Sequence, residues 1–359
     1  MLQTTTSSPR GSPANNKGFY LDRCTQEQAY QYFYSWSVKE QGNPGAQGHD
    51  IRDVFFKIDP NGFFLGKVPA SSQSPEQGTP GQEQQQSIKH SADDKVVSIV
   101  SAVRYPSGQG WIGYYLVDPD YRDQGSGLEG VQKCLEHLDG CASIGLDSAM
   151  AQVENYKELG FVHVGWQNER RYGSALNLVY YNVDVKEMVQ EAREGETEGM
   201  INIEDAPVEG LAALEQQYTG LNRPDFVRDW AQFHGLQHAQ SGRYGAAVMD
   251  HDGKTVLGFG CVRRAESSYR IGPLYATSGE IAKKILIKLA VDVVDGNEKY
   301  PQGIPLMINI DIPNSNPQAV AIMNRLGWAN TLTSSRVWRG SLPEADVNGV
   351  FAICTVEVG

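Results

Sequence analysis

Only five of the 359 residues are cysteine, scattered at positions 24, 134, 141, 261 and 354. An odd and dispersed set excludes a disulfide framework and points to reduced thiols in a cytoplasmic setting. No apolar run approaches the length of a membrane span, so no membrane partner is expected. Positive charge is also scarce: Lys plus Arg number 31 against 43 Asp plus Glu, a formal net charge of -12. That balance argues against a nucleic-acid partner, which rewards basic faces. Residues 1–18 are rich in Ser, Thr, Asn and Pro without a hydrophobic centre, which argues against a secretory signal and for a disordered tail. The glycine loop at 122–127 does not end in Gly-Lys-Ser/Thr, and no Gly-x-Ser-x-Gly elbow stands out. His234 and His238 stand four apart, but Gly235 separates them and no third ligand is evident, so no metal is expected.

What the chain does contain is concentrated at Gly110–Leu138. Trp111–Val117 reads as a buried strand, and Asp118-Pro119 ends it, because proline has no donor for the ladder. Leu128, Val131, Leu135 and Leu138 then recur at helical spacing. Between strand and helix lies Arg122-Asp123-Gln124-Gly125-Ser126-Gly127. Its glycines permit positive φ and let backbone N–H groups converge on an anion at the helix start, with Arg122 adding charge. The pieces make a pyrophosphate cradle. Gly125–Gly130 also fits Gly-x-Gly-x-x-Gly formally, but Pro119–Arg122 makes the turn longer than the tight dinucleotide-binding one.

The order Val-x-Pro-x-Tyr-Arg-x-x-Gly-x-Gly resembles the acetyl-CoA loop of the GNAT N-acetyltransferase superfamily. Downstream, Tyr156-Lys157-Glu158-Leu159-Gly160-Phe161 resembles the Tyr-x-x-x-Gly-Phe that ends the fourth helix of that family. A second set of elements follows in the same order, closing on Asn316–Trp328 with another Leu-Gly-aromatic ending. The whole therefore resembles tandem GNAT proteins with a degenerate, YitH-like C-terminal domain. The implied fold class is α/β (an α+β mixed sheet), as two tandem folds, each with a mixed, mainly antiparallel sheet flanked by helices. The expected divisions are a catalytic domain over 19–183 with a disordered insertion at 70–94, a linker at 184–199, and a degenerate domain over 200–359. Within the first unit, Ile144–Leu146, Phe161–Gly165 and Leu176–Val183 read as strands and Ser148–Leu159 as a helix. In the second copy Pro273 replaces a donor in the cradle and Met323 replaces Tyr156, which favours chemistry in the first.

The resemblance implies acetyl transfer from acetyl-CoA, without a metal, to the primary amine of a small molecule by direct attack in a ternary complex. Backbone groups of Tyr115, Leu116 and Val117 would meet the pantetheine arm, although the same residues also read as plain core strand. Arg122, Asp123, Gln124, Gly125, Ser126 and Gly127 would hold the pyrophosphate. Tyr156 is the expected general acid, since a phenol with an ordinary pKa of ~10 remains protonated at neutral pH. Asn155 is a cofactor contact by adjacency, while the usual asparagine position holds Ala149. The strand before the cradle has no carboxylate for a base, which leaves Asp147 as a candidate, equally readable as a helix N-cap. His49 and Asp50 are acceptor-side candidates in a loop. Trp328, Trp338, Tyr269 and Tyr275 read as core of the second domain, or as walls of an acceptor pocket across the domain interface. Two other readings stand beside this one: a peptide or protein N-acetyltransferase acting on an N-terminus or lysine, and a non-catalytic acyl-CoA-binding module.

Overall fold

The computed structural model describes residues 18–70, 94–122 and 124–359; nearly all of the expected tail and insertion, and Asp123, lie outside them. The first half runs β1 (Tyr20–Arg23), α1 (Gln26–Lys39), a helical turn at Ile51–Phe55 continuing into α2 (Phe56–Ile58), β2 (Phe63–Val68), β3 (Lys95–Arg104), β4 (Gln109–Val117), α3 (Ser126–His137), β5 (Ser143–Ala149), α4 (Val153–Glu158) and β6 (His163–Ser174). The second runs α5 (Lys186–Glu194), β7 (Met200–Asn202), α6 (Val208–Thr219), α7 (Pro224–Phe233), β8 (Arg243–Met249), β9 (Val256–Arg264), β10 (Tyr269–Ala276), α8 (Gly279–Lys299), β11 (Met307–Pro313), α9 (Pro317–Arg325), β12 (Ala329–Gly340) and β13 (Val350–Ala352).

Local chemistry explains the elements nearest the cradle. Thr25 and Gln28 start α1 with a reciprocal capping box. Asp118 caps the single turn at Pro119–Tyr121 that ends β4. Val131, Cys134 and Leu138 bury one face of α3 against Phe64, Val100, Ala102 and Ile112 of β2, β3 and β4.

The strands join into one mixed sheet of thirteen, in the order β1-β2-β3-β4-β5-β12-β6-β11-β10-β9-β8-β7, with β13 alongside β10. Reading inward from either edge gives the same sequence of elements until the centre, where each half contributes its last long strand to the other. β12 pairs with β5, and β6 pairs with β11. Only β4·β5 and β10·β11 are parallel among the described strands.

Several expectations give way here. β6 continues past Gly165 to Ser174, because its charged stretch is paired across the sheet: Arg170 grips Asp311 of β11 in a two-pronged ion pair of 2.7 and 2.9 Å. Leu176–Val183 is no strand; Asn177–Tyr181 is a helical turn that buries the adjacent Leu178 and Val179 in the α8 core, which an alternating strand face cannot do. Ser148 and Ala149 remain in β5, and the helix begins only at Val153. The segment 184–199, expected as a helical or flexible linker, does contain a helix: α5 buries Val189 and Ala192 and ties Arg193 to Asp295 of α8. Trp338 packs edge-on against Trp111 of the first half, at 5.5 Å between ring centres, because β12 has crossed over.

Candidate active site

β4 and β5 are hydrogen-bonded partners only from Gln109–Trp111 to Ser143–Gly145, and past Trp111 they part. On its other edge β4 carries a bulge against β3, and there Tyr114 adopts φ 49°, a left-handed conformation unusual for any residue but glycine. The bulge and the splay together open a cleft of about 310 Å³ between the strands. Its walls include Ile112–Val117 of β4, Leu146–Ala149 of β5, and Gln152 and Tyr156 beyond β5. Ser37, Glu40 and Gly42 at the end of α1 form one rim. The exchange brings in residues that the sequence reading did not pair with this site: Leu332, Thr333 and Ser334 of β12, Asp311 of β11, and Val356 and Glu357 of the segment after β13.

At the start of α3, Gly125 sits at φ 90° as its N-cap. The first N–H groups of that helix have no intrahelical acceptor and point along its axis. Gly127 lies directly against the Tyr115 hydroxyl, so a side chain there would displace the ring. Arg122 is tied down rather than free, donating to the Val117 carbonyl at 3.0 Å and to Glu40 at 3.1 Å, which fastens the loop to β4 and α1. Gln124 donates to the Asp120 carbonyl at 2.7 Å. Ser126 opens the helix, and Asp123 is outside the described residues.

Tyr115, Leu116, Val117, Arg122 and Tyr156 are thus brought to one cleft. Tyr156 packs edge-on against Phe161 at 5.7 Å, and among the described residues nothing hydrogen-bonds its hydroxyl. Burial, with Tyr115 and Cys134 nearby, raises the phenol above its ordinary value, so it stays a proton donor. Asn155 is not in the lining; it donates to Gln152 at 2.6 Å.

Asp147 is placed differently from either sequence reading. It neither caps a helix nor offers a free carboxylate: both oxygens bind Arg336 of β12, at 3.0 and 2.7 Å, and Asn168 donates to one of them at 3.0 Å. Its side chain is fully covered, and burial lifts its pKa despite the guanidinium. His49 and Asp50 line a separate small cavity, and Asp50 is ion-paired to Arg263 at 3.1 Å. Neither reaches the cleft. His234 and His238 do not converge either: one meets the Trp230 carbonyl and the other Arg243. Among the described residues no cluster of three metal-ligating side chains occurs, and no helix is long and apolar enough to cross a membrane.

Glu357 escaped the sequence reading because nothing local marks it. Its backbone carbonyl lies against the Cα of Gly113, where a Cβ would collide, so glycine in β4 lets the C-terminal segment run beneath the cleft. Trp111 secures that segment through the Val356 carbonyl at 3.0 Å. Glu357 Oε1 meets Arg270 at 3.1 Å, while Oε2 has no hydrogen-bond partner.

In the second half the corresponding splay of β10 from β11 is filled. β13 pairs with β10 at Leu274 and Tyr275, and Gly272 lies against the Ile353 and Cys354 carbonyls. Asn316 caps α9 and donates to the Asn348 and Val350 carbonyls, so it holds this plug in place.

Comparison with known families agrees with a doubled fold. The model of the acetyltransferase (GNAT) family matches residues 69–161, and that of an acetyltransferase (GNAT) domain matches residues 211–352. The chain is a tandem GNAT acyltransferase. This tandem GNAT chain is 27% identical to the holothin acyltransferase of Pseudoalteromonas sp. (strain SANK 73390) over 330 residues, covering 92% of this chain and 91% of that protein. Its fold is similar to a putative acetyltransferase from Pyrococcus horikoshii, with TM-score 0.66, 19% identity and 96% of both chains covered. It is also similar to a tandem GNAT protein from the clavulanic acid biosynthesis pathway, with TM-score 0.56, 11% identity, and 90% and 99% of the two chains covered. GNAT enzymes use an acyl-CoA as cosubstrate.

Proposed function

We propose that the protein transfers an acetyl group from acetyl-CoA to the primary amine of a compact small molecule, by direct attack in a ternary complex. The observation that carries this reading is the cleft between β4 and β5, lined by Arg122 of the loop before α3 and by β12, β11 and C-terminal residues of the other half. An acceptor enclosed by β12 and the C-terminal segment is compact; a protein tail needs a groove open on both sides. Likeness to a holothin acyltransferase over almost the whole chain supports acyl transfer.

In this reading residues 19–183 hold the catalytic machinery and 200–359 form a degenerate partner that completes the acceptor side. The amides of the 122–127 loop and the α3 start bind the diphosphate. When acetyl-CoA is bound it supplies the activated thioester. A β4 amide near Tyr115 polarises the carbonyl, as oxyanion-hole donors do. The Tyr156 hydroxyl supplies the proton that the departing thiolate needs. With Asp147 locked to Arg336, Glu357 lies among the residues of the other half with Oε2 unbonded, and we assign it the amine proton. The cell compartment that suits five free thiols is the cytoplasm.

Thiol release from acetyl-CoA, measured against small amines, amino acids, polyamines and short peptides, tests the reading. Turnover confined to compact amines is the expected result. Turnover of peptides alone would move the assignment to a protein N-acetyltransferase, and tight acetyl-CoA binding without turnover would leave a binding module.

A further inference from the structure

A second polar cavity, of about 20 Å³, lies apart from the cleft, between the loop before α2 and strands β8 and β9. Its composition is lopsided. Arg243, Arg263 and Arg264 all line it, and the carboxylate among its lining residues is Asp50. Asp50 is already engaged, with one oxygen on Arg263 and the other accepting the Ile51 N–H at 2.9 Å. Arg243 is 9% exposed, lies over the Phe233 ring, and forms no ion pair with any described carboxylate. Three N–H donors here have no hydrogen-bond partner at all: Arg243 Nε, Arg263 Nη2 and Arg264 Nε.

Asp53 and Asp50 favour the Arg243 charge from nearby without pairing with it; a buried guanidinium without a paired carboxylate is expensive, and so is each buried donor left unmade. One buried water would accept at most two of these bonds and would leave the charge uncompensated. A single anion answers both demands. The volume suits a particle the size of one water and excludes sulfate or phosphate. We infer that this cavity is a binding site for a small monatomic anion of the halide class, held by Arg243, Arg263 and Arg264. Asp53 and Arg52 stand nearby as a mutual pair, and His49 lines the cavity with its pKa lowered by burial and by Arg52 and Arg243, so it adds no cation that would substitute for the arginines.

The site joins the two halves at a useful place. The segment from Gly42 to Asp50 starts on the cleft rim and is fastened to the β9–β10 turn by Asn43 to Ser268 at 2.8 Å and by the Glu266 N–H to the Pro44 carbonyl at 3.0 Å. An anion between Asp50 and β8–β9 extends that fastening.

Thermal unfolding of the full chain in sodium chloride against sodium gluconate, at equal ionic strength, reads out the site. Chloride should raise Tm saturably by a few degrees, as a ligand of the folded state does. Arg243→Met should lose this chloride dependence yet equal or exceed the parent protein in gluconate, because an uncompensated charge is gone. Crystals soaked in bromide give a readout that needs no variant, with an anomalous peak expected between Arg243 and Arg263. Identical Tm values in the two salts, or bromide absent from the cavity, overturns the proposal.

Discussion

Arg336 of β12 and Asp147 of β5 face each other directly in the ladder and form a bidentate pair whose two side chains are 1% and 0% exposed. Arg170 of β6 and Asp311 of β11 repeat the arrangement in the other half, again as direct ladder partners. The two pairs sit where the halves exchange their last strands, so each crossed strand is anchored by one buried ion pair. Arg336 also lies over Trp111 and Trp166, at 4.6 and 4.9 Å from the ring centres. Asp147→Ala leaves that guanidinium buried without a counter-charge and should cost about 3–5 kcal/mol. Replacing both partners, Asp147→Leu with Arg336→Met, should recover most of the loss. Urea midpoints of the single and double variants check this, and a loss below about 1 kcal/mol in the single variant contradicts a tightly held pair.

Because β13 occupies the second splay, one chain should bind one acyl-CoA. Calorimetric titration should give a stoichiometry of one, and two sites per chain would mean that β13 moves aside.

Tyr156→Phe removes the free hydroxyl but keeps the edge contact with Phe161. Turnover should fall about 10²–10⁴-fold with acyl-CoA affinity unchanged. Parallel kinetics and calorimetry separate the two quantities, and undiminished kcat would remove the proton-donor role.

Gly125→Asp with Gly127→Asp should abolish acyl-CoA binding. The first places a side chain at φ 90°, the second strikes the Tyr115 hydroxyl, and both bring negative charge to a helix start that favours anions. A circular dichroism spectrum like the parent's shows that the fold survives. Binding retained in that folded variant puts the diphosphate elsewhere.

His234 is 1% exposed and donates through Nδ1 to the Trp230 carbonyl at 2.8 Å; burial holds its pKa well below the ordinary value, with Arg263 and Arg243 adding to the effect. In the unfolded chain the same ring titrates near pH ~6.5. The unfolded state therefore binds more protons below that pH, so this contribution to stability is complete above it and declines as acid is added. Between pH 7 and 5, Tm of the parent should fall more steeply than Tm of His234→Gln. Parallel slopes would show that His234 already carries its proton in the fold.

Strand β4, the loop after it and helix α3 were legible because their signals are local: a proline stop, glycines where backbone must turn or approach, and an apolar period of helical length. Tyr156 was legible for the same reason, as part of a short run. The amphipathic elements of the second half follow the same logic, and α8 and α9 lie close to where their periodicity puts them. Asp147 was misread because its fate depends on Arg336, 189 residues away, and no local pattern links them. The repeat did carry a clue, since Asp147 and Asp311 stand at corresponding positions of their strands, as do Arg170 and Arg336.

By itself the sequence determined most of the strands and helices and the glycine loop between β4 and α3, since propensity, capping and periodicity act over a few residues. Tertiary structure decided which half owns each central strand, which carboxylates are locked in ion pairs, and that Glu357 lies beneath β4. Those outcomes rest on which partner is present to satisfy a buried charge or an open strand edge. Such a partner is chosen by the folded chain as a whole, from residues that sequence distance keeps apart.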